Sequence, residues 1–371
     1  MTSSARTRSH VTVSDTARTA DDAAKDTAKD TATGRQRGLV ARVGPERAGT
    51  ILRTSQVAMA FQALGDRWSV LVLRDVFLGV NRFDDLVATT GASRMTLTNR
   101  LRSLVSEGIL HRHPYTLRPT RYEYRLTRMG AALYPTALMY WLWEKQYGGM
   151  PTVPPQLHHH SCRHAMLPAL VCRHCRQAIQ IGNILAEVVA EGDERMVATP
   201  RHYCLHVGSK SWCGAKPREV HIIDVVGDRW TALVQAAAYF GLDRYADMQS
   251  VLAIPTNTLA DRLRLLLQAG VLQRSPYQSR PVRYAYSLTE KGRGLYLSAF
   301  TLHQWADRWL LRGRVGPLAL RHRPCGELAD ACVVCDHCGH ELHMSEVEAR
   351  REDGKPWMPP ALRAGRRAAE A

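Results

Sequence analysis

The 371-residue sequence contains no apolar run that approaches the roughly 18 residues of a membrane-spanning helix. Its most apolar stretch, Ala131–Trp143, is short and contains Pro135. The first residues (MTSSARTRSH) lead into more polar sequence rather than into the apolar core of a secretory signal. These absences favour a cytoplasmic protein.

The sequence also lacks the common motifs of catalytic sites. It has no phosphate-binding loop, no serine-centred nucleophile elbow and no zinc motif that leaves a coordination position open. Its acidic residues are scattered over charged helix faces rather than gathered into a constellation. We therefore expect that the protein is not an enzyme.

Acidic residues are in deficit, since 34 Asp+Glu stand against 50 Lys+Arg and give a formal charge of +16. This balance favours an anionic partner, most often nucleic acid, although solubility alone also explains a basic surface. A hydrophobic content of 45% is ordinary for a globular protein, and the length fits two or three domains. Nine cysteines without a secretory signal favour metal or redox chemistry over a disulfide framework.

The chain repeats itself with an offset of 162 residues, because Gly65–Trp68 (GDRW) recurs as Gly227–Trp230. Many positions then align, among them Arg82 with Arg244, Leu97 with Leu259, Gly108 with Gly270, Arg121 with Arg283 and Trp143 with Trp305. After a gap of one residue the cysteine clusters align as well. The chain is therefore a duplication of a unit of domain size.

Each unit changes from a helical period to a two-residue period. In the first unit, apolar spacing predicts helices at Val57–Leu64 and Ser69–Leu78, then a short helix around Leu86. Ser93 is a plausible N-cap for a further helix that Gly108 ends. The core-facing stripe of that helix is Leu97, Leu101, Leu104 and Val105, repeated as Leu259, Leu263, Leu266 and Leu267.

The alternation of Tyr122, Tyr124 and Leu126 predicts a strand, paired with Ile109–Tyr115 around a basic loop. A helix with Trp141 and Trp143 follows. The element order predicts a mainly α fold with small β-wings (α+β), in which two winged helix-turn-helix domains are each followed by a small zinc knuckle.

The motifs in this order resemble the HxlR family of bacterial winged-helix transcription regulators. In the first unit they are Leu64–Trp68 (LGDRW), Arg82–Leu86 (RFDDL), Leu97–Arg102 (LTNRLR), Glu107–Leu110 (EGIL), Arg121–Thr127 (RYEYRLT) and Gly130. In the second they are Gly227–Trp230 (GDRW), Leu259–Arg264 (LADRLR), Ala269–Leu272 (AGVL) and Arg283–Thr289 (RYAYSLT). The resemblance covers about 90 residues of each unit. It implies a sequence-specific regulator that binds double-stranded DNA, in a family that usually works as a dimer of single-unit chains.

The chain departs from that family in two ways. Many members carry a cysteine thirteen residues before the tryptophan of the GDRW motif, where this chain has Ser55 and Pro217. Two units also share one chain, so we expect the long helices with Trp141/Trp143 and Trp305/Trp309 to pair as an intrachain pseudo-dimer. A homodimer of chains is the alternative.

The candidate DNA contacts lie on the helix before each wing and on the wing itself. Arginine and asparagine read guanine and adenine bidentately, and hydroxyls suit phosphate oxygens. The set is Ser93, Arg94, Thr96, Asn99, Arg100, Arg118 and Arg121 in the first unit, and Thr256, Asn257, Thr258, Asp261, Arg262, Arg280 and Arg283 in the second.

Asp261 replaces Asn99, so we expect the two helices to read different half-sites. The simpler alternative is that Asp261 pairs with Arg262, Arg264 or another arginine. The wing arginines, which include Arg112 and Arg274, could likewise belong to a solvated loop. We expect the wing tyrosines to pack in the strands rather than to stack on bases.

After each long helix the pattern His-x2-Cys-x9-Cys-x2-Cys appears, as His159, Cys162, Cys172, Cys175 and as His322, Cys325, Cys335, Cys338. Four protein ligands fill a tetrahedron, so each set predicts one structural zinc ion. Alignment with His322 selects His159 over its neighbours His158 and His160. A redox role for the thiolates, with release of zinc, is the alternative.

Three cysteines are left over. Cys204 lies near His202 and His206, which makes a third metal site conceivable, while Cys213 has no assigned role and Cys332 is expected to be buried.

The expected division is a disordered tail (1–45), a winged helix-turn-helix (46–150), a zinc knuckle (151–185), a linker (186–215), a second winged helix-turn-helix (216–312), a second knuckle (313–345) and a C-terminal tail (346–371). Two other functions stay open: a zinc- or redox-responsive regulator, and a protein-interaction adaptor without specific DNA binding. A small-molecule effector is a further expected partner, of unknown identity.

Overall fold

A computed structural model describes residues 39–118, 120–148, 153–192 and 221–362 of the chain. The expected tail lies outside the described residues as far as residue 38, and so do His202, Cys204, His206, Cys213 and Pro217. Residues 39–45, which we expected in the tail, instead begin the folded part. The helix Leu39–Val43 forms there, and Leu39 is fully buried.

The first unit follows the predicted order of helices, turn, helix, wing and long helix. Its elements are α1 (Leu39–Val43), α2 (Pro45–Arg53), α3 (Gln56–Leu64), α4 (Arg67–Phe77), α5 (Phe83–Thr90), α6 (Arg94–Ser106), β1 (Leu110–Leu117), β2 (Thr120–Leu126), α7 (Arg128–Ala131) and α8 (Tyr134–Tyr147).

The second unit repeats this order, and its first helix corresponds to the C-terminal part of α3. Its elements are α9 (Ile222–Val226), α10 (Arg229–Tyr239), α11 (Tyr245–Leu252), α12 (Thr256–Gln268), β7 (Leu272–Ser279), β8 (Val282–Leu288), α13 (Glu290–Gly294) and α14 (Tyr296–Trp309).

The helix-turn-helix of the first unit is α5, a turn and α6. Gly91 ends α5 in the left-handed conformation, with φ +68°, which glycine adopts without steric cost. Ser93 is the N-cap of α6, as predicted, and its hydroxyl accepts a hydrogen bond from the Thr96 amide. The buried residues of α6 are Leu97, Leu101 and Leu104, so the predicted stripe faces the core.

Each wing is an antiparallel hairpin. In the first, Leu110 pairs with Leu126 and Arg112 with Tyr124. In the second, Leu272 pairs with Leu288 and Arg274 with Tyr286. The fold class predicted from the sequence is confirmed in this respect, since helices dominate and the hairpins are small.

The segments after the long helices do not form two separate knuckles. They hold β3 (Gln156–His159), β4 (His164–Met166), β5 (Pro168–Cys172) and β6 (Ile184–Val188) in the first repeat, and β9 (Leu318–His322), β10 (Ala331–Cys335) and β11 (Val347–Arg350) in the second. These strands pair across the repeats: β5 with β10, β3 with β11 and β6 with β9, all antiparallel. Leu170 pairs with Val333, its repeat equivalent, so an approximate two-fold axis passes between these strands.

Because strands pair across the repeats, the folded segments extend past the domain boundaries expected from the sequence. Strand β6 extends into the segment assigned as a linker, and β11 lies in the segment assigned as a C-terminal tail. Each becomes ordered because the other repeat offers it an unpaired strand edge. The two knuckle segments therefore form one shared body.

The two units also share one hydrophobic core, which includes Leu52, Leu64, Trp143, Leu302 and Trp305. The long helices α8 and α14 pack against each other, and the Thr136 hydroxyl donates to the Thr301 hydroxyl across them at 2.9 Å. The intrachain pairing expected from the duplication is therefore present in the structure.

Candidate nucleic-acid interface and metal centres

The exposed face of α6 carries most of the residues predicted to touch DNA. Ser93, Arg94 and Asn99 are exposed, and Thr96 is half-buried beside its cap. Arg94 contacts the Asp84 carboxylate at 2.9 Å on the open surface, where such a pair is weak and easily exchanged. Met95, which the sequence reasoning missed, is 74% exposed at the start of the helix. An unbranched apolar side chain left in water at the tip of a recognition helix suits contact with a thymine methyl.

Arg100 and Arg262 do not belong to this face, which corrects the expected set. The Arg100 guanidinium pairs with the Asp66 carboxylate at 2.8 Å, and Arg262 pairs with Asp228 at 2.9 Å. All four side chains are mostly shielded from solvent. Because each guanidinium already has an internal carboxylate partner, neither is among the DNA contacts that we propose below.

These ion pairs explain the GDRW motif. Asp66 caps α4, because one of its carboxylate oxygens accepts hydrogen bonds from the Trp68 and Ser69 amides. Its other carboxylate oxygen forms the ion pair with Arg100 of α6. Asp228 does the same for α10 and Arg262. The aspartate of the motif therefore fixes the recognition helix α6 against α4, and α12 against α10.

The face of α12 differs from that of α6. Thr256, Asn257 and Asp261 are exposed, and Thr258 is half-buried. The Asp261 carboxylate accepts from Arg264 at 2.7 Å, on side chains that are about 60% exposed. The pairing that we gave as the simpler alternative therefore forms, and it leaves both side chains within reach of a partner in solvent.

The wings carry their basic residues outward. Arg118, Arg121, Arg280 and Arg283 are exposed. Arg112 and Arg274 lie over the rings of Tyr122 and Tyr284, at 5.4 and 4.3 Å from the ring centroids. The strand residues Tyr124 and Tyr286 pack against the core, and burial raises the pKa of both hydroxyls. The packing role that we expected for the wing tyrosines fits these two.

The eight predicted metal ligands converge in two clusters, but the expected grouping of one site per repeat is wrong. One cluster holds His159, Cys162, Cys335 and Cys338; the other holds Cys172, Cys175, His322 and Cys325. Each thus takes a His-x2-Cys pair from one repeat and a Cys-x2-Cys turn from the other. The cause is the antiparallel pairing of β5 with β10, which carries each Cys-x2-Cys turn to the far end of the shared body.

The spacing of the donor atoms fits a tetrahedral zinc ion. In the first cluster, the Cys162 and Cys335 sulfurs are 3.8 Å apart, and the His159 Nδ1 lies 3.6 and 3.3 Å from the sulfurs of Cys162 and Cys338. In the second, Cys172 and Cys325 are 3.9 Å apart, and the His322 Nδ1 lies 3.3 and 3.4 Å from the sulfurs of Cys175 and Cys325. Usual zinc bond lengths give edges of about 3.8 Å between sulfurs and about 3.6 Å between sulfur and nitrogen.

The thiols of the first cluster have unlike environments. Burial opposes ionisation of Cys162, but hydrogen bonds from the His164 backbone and from His159 lower the pKa of this thiol to about 6. Burial raises the pKa of Cys335 to about 11. A divalent cation supplies the positive charge that keeps all such thiols ionised in one small space.

Cys332 is buried, as expected, between Val171 and Val334 and outside both clusters. No helix among the described residues is long and apolar enough to cross a membrane.

Comparison with known proteins agrees with this architecture. A model of the HxlR-like helix-turn-helix family matches residues 63–151 and 225–314, one match for each unit. An uncharacterized HTH-type transcriptional regulator of Mycobacterium tuberculosis, Rv3095, is 44% identical over 125 residues, which are 34% of this chain and 79% of that protein. YvaP of Bacillus subtilis, also described as an uncharacterized HTH-type transcriptional regulator, is 32% identical over 95 residues, 25% of this chain and 88% of that protein. With two winged helix-turn-helix units and these relatives, the chain belongs to the HxlR-like helix-turn-helix family of bacterial transcriptional regulators.

Proposed function

We propose that one chain binds one double-stranded DNA site with both of its recognition helices. The observation that carries this proposal is that the two units share one core and pair strands across the repeats. In a winged helix-turn-helix the second helix of the turn pair enters the major groove. With α6 and α12 fixed in one body, a single chain presents the pair of helices that a dimer presents elsewhere in the family.

The two half-sites would differ in sequence. The exposed face of α6 offers Arg94, Met95 and Asn99, where Asn99 suits adenine. The equivalent face of α12 offers Asn257, Thr258 and Asp261, where a carboxylate accepts from cytosine N4 and repels phosphate. The preferred site is therefore expected to be an imperfect palindrome.

Contacts to the DNA backbone supply affinity without sequence information. The Ser93, Thr96 and Thr256 hydroxyls lie at the starts of the recognition helices, where they suit phosphate oxygens. The wing arginines Arg118, Arg121, Arg280 and Arg283 are exposed on the hairpins, as a phosphate track or a narrow minor groove requires. Binding should weaken steeply as salt rises.

Each cysteine cluster would hold one structural zinc ion. Its four ligands leave no coordination position for a substrate, so the ion supplies cross-linking and charge rather than catalysis. Because each cluster draws on both repeats, the ions would join the units that carry the two recognition helices. In this proposal the protein acts in the cytoplasm, on the nucleoid, and its chain is monomeric.

Selection from a random duplex library, followed by fluorescence anisotropy on the selected duplex, tests the proposal. We expect one dominant asymmetric site, bound in excess random competitor and weakened by several orders of magnitude between low and high salt. If random competitor DNA removes the binding, the protein has only a basic surface that binds DNA without specificity. No binding at low salt would overturn the proposal and favour the protein-interaction adaptor.

A further inference from the structure

Two histidines, His164 and His337, lie beside the first cysteine cluster without belonging to it. His164 begins β4 directly opposite His159 of β3, and His337 lies inside the turn between Cys335 and Cys338. Their rings stack face to face, with centroids 3.6 Å apart and planes 15° from parallel. The pairing of strands across the repeats therefore brings together two imidazoles that are far apart in the sequence.

These imidazoles and the Cys162 thiol form a third group of metal donors. One ring nitrogen of each histidine and the Cys162 sulfur all lie within 4.8 Å of one another. Imidazole and thiolate suit zinc and the neighbouring transition metals, whereas Mg²⁺ and Ca²⁺ prefer oxygen ligands. Both histidines are exposed, so an ion can reach them from solvent, unlike the fully buried His159 and His322.

A hydrogen bond prepares the His164 ring for a metal ion. Its Nδ1 lies 2.6 Å from the carbonyl oxygen of Cys162. Because a carbonyl oxygen only accepts, Nδ1 carries the proton, and the neutral ring keeps the lone pair of Nε2 for an ion. Metal-binding histidines are usually held in this way, with the second ring nitrogen donating to a carbonyl or carboxylate.

This third group is open, in contrast to the two clusters of four ligands. Three protein donors leave a coordination position for water or a further ligand. Donor separations of up to 4.8 Å exceed the edges of about 3.3–3.6 Å that usual zinc bond lengths give, so the stacked rings must turn apart to bind one ion. Both rings are exposed and have room to turn. An ion should therefore bind here more weakly than in the clusters and exchange with solvent.

The second cluster has no such group beside it. The repeat equivalent of His337 is His174, but the equivalent of His164 is Glu327. Among the described residues, no third group of donors occurs at that end of the shared body. The duplication therefore supplies a matched control, because His174 occupies the same position in a turn of the same spacing.

We propose that Cys162, His164 and His337 bind one exchangeable divalent ion of the zinc type, in addition to the ions of the two clusters. Cys162 would be shared, because a thiolate that binds one cation keeps lone pairs for a second. The ion would join the repeats at one end of the shared body, since the two histidines come from different repeats. The site rests on the proposed structural zinc only through Cys162, and neither recognition helix contributes to it.

Titration of the full chain with Zn²⁺ tests the proposal. The chain is first dialysed against a chelator that leaves tightly bound ions, and elemental analysis counts the metal retained. We then expect isothermal titration calorimetry to show one further Zn²⁺ ion per chain, bound more weakly than the retained ions. Ca²⁺ should not bind, because the group offers nitrogen and sulfur but no oxygen.

Matched histidine variants locate the further ion. His337→Asn and His164→Asn each remove one ligand and should weaken its binding at least about tenfold. His174→Asn, the equivalent change in the other repeat, should leave it unchanged. The comparison between His337→Asn and His174→Asn does not depend on how many ions the clusters retain. Failure of the structural zinc ions, seen in the retained metal, is therefore distinguishable from failure of this site.

Circular dichroism checks that each variant folds, which we expect because the three histidines are exposed. Three results would overturn the proposal. They are the absence of a further Zn²⁺ ion in the unchanged chain, full affinity in both His164→Asn and His337→Asn, and equal losses in His174→Asn and His337→Asn.

Discussion

Trp143 and Trp305 make the same hydrogen bond in opposite directions across the boundary between the two repeats. The Trp143 indole donates to the Lys291 carbonyl at 2.9 Å, and the Trp305 indole donates to the Met129 carbonyl at 2.9 Å. The two acceptors occupy equivalent positions in the repeats, since Lys291 directly precedes Gly292 and Met129 directly precedes Gly130. The two hydrogen bonds therefore join the halves of one chain symmetrically, as equivalent contacts join the two subunits of a two-fold dimer.

Loss of either indole N–H should destabilise the whole molecule. We expect Trp143→Phe and Trp305→Phe each to lower the free energy of unfolding by about 1–3 kcal/mol, because a partly buried carbonyl loses its donor. Chemical denaturation monitored by circular dichroism measures this. The control is Trp309→Phe, since the Trp309 indole nitrogen has no hydrogen-bond partner in the described part of the chain. A loss at Trp309 as large as at Trp143 would contradict the assignment.

The aspartate of the GDRW motif should matter through its charge as well as its cap. Asn caps helices about as well as Asp, so Asp66→Asn keeps the cap of α4 and removes the ion pair with Arg100. We expect a loss of about 1–3 kcal/mol in the free energy of unfolding, because the guanidinium is left mostly buried without its carboxylate.

The exposed pair of Asp84 and Arg94 is the matched comparison. Its side chains are 76% and 69% exposed, so Asp84→Asn should change stability by less than about 1 kcal/mol. Thermal unfolding of the two variants side by side decides the point. Equal stability of Asp66→Asn and the unchanged protein would return Arg100 to the candidate DNA contacts.

The recognition helices should differ in what they read. Asn99→Ala is expected to weaken binding to the selected duplex by about 1–3 kcal/mol and to relax base preference in one half-site. Asp261→Asn is expected to change preference in the other half-site. Repeated selection with each variant measures this, with Gln268→Ala at the far end of α12 as the control. If Asp261→Asn leaves the base preference unchanged, Asp261 does not read the DNA and its only role is the contact with Arg264.

Local patterns predict the elements of each unit but not how the units exchange strands. The stripe of Leu97, Leu101 and Leu104 and the cap at Ser93 depend on neighbours within a turn or two, so they can be read from the sequence. The pairing of β5 cannot, because β10 is its repeat equivalent and nothing in the Cys-x2-Cys spacing, which both repeats share, shows that the two strands pair with each other. Spacing therefore predicts which eight residues cluster but divides them into the wrong two sets.

The same limit explains the arginines of the recognition helices. Helical periodicity places Arg100 away from the leucine stripe, and an arginine there is typical of a DNA-reading surface. Its position on the helix does not show that Asp66, the cap of another helix, lies beside it. Met95 was missed because an exposed methionine carries no periodic or charge signal.

Paired cysteine substitutions test the crossed metal sites directly. Cys162→Ser with Cys335→Ser changes two ligands of one cluster, so the chain should keep one zinc ion. Cys162→Ser with Cys172→Ser changes one ligand of each cluster, so both ions should be weakened or lost. Elemental analysis after dialysis against a chelator counts the metal, and Cys332→Ser is the control that should keep both.

The reverse result has an equally clear meaning. If the chain with Cys162→Ser and Cys172→Ser keeps one ion while the other double variant keeps none, the ligands group within each repeat. The strand exchange would then be wrong.

We propose above that one chain is a complete DNA-binding unit with two different recognition helices. Native mass spectrometry of the protein with its selected duplex tests it most directly. We expect a complex with the mass of one 41.6 kDa chain and one duplex, and a free protein with the mass of one chain. A complex that always contains two chains on one duplex, with none at the mass of one, would contradict it.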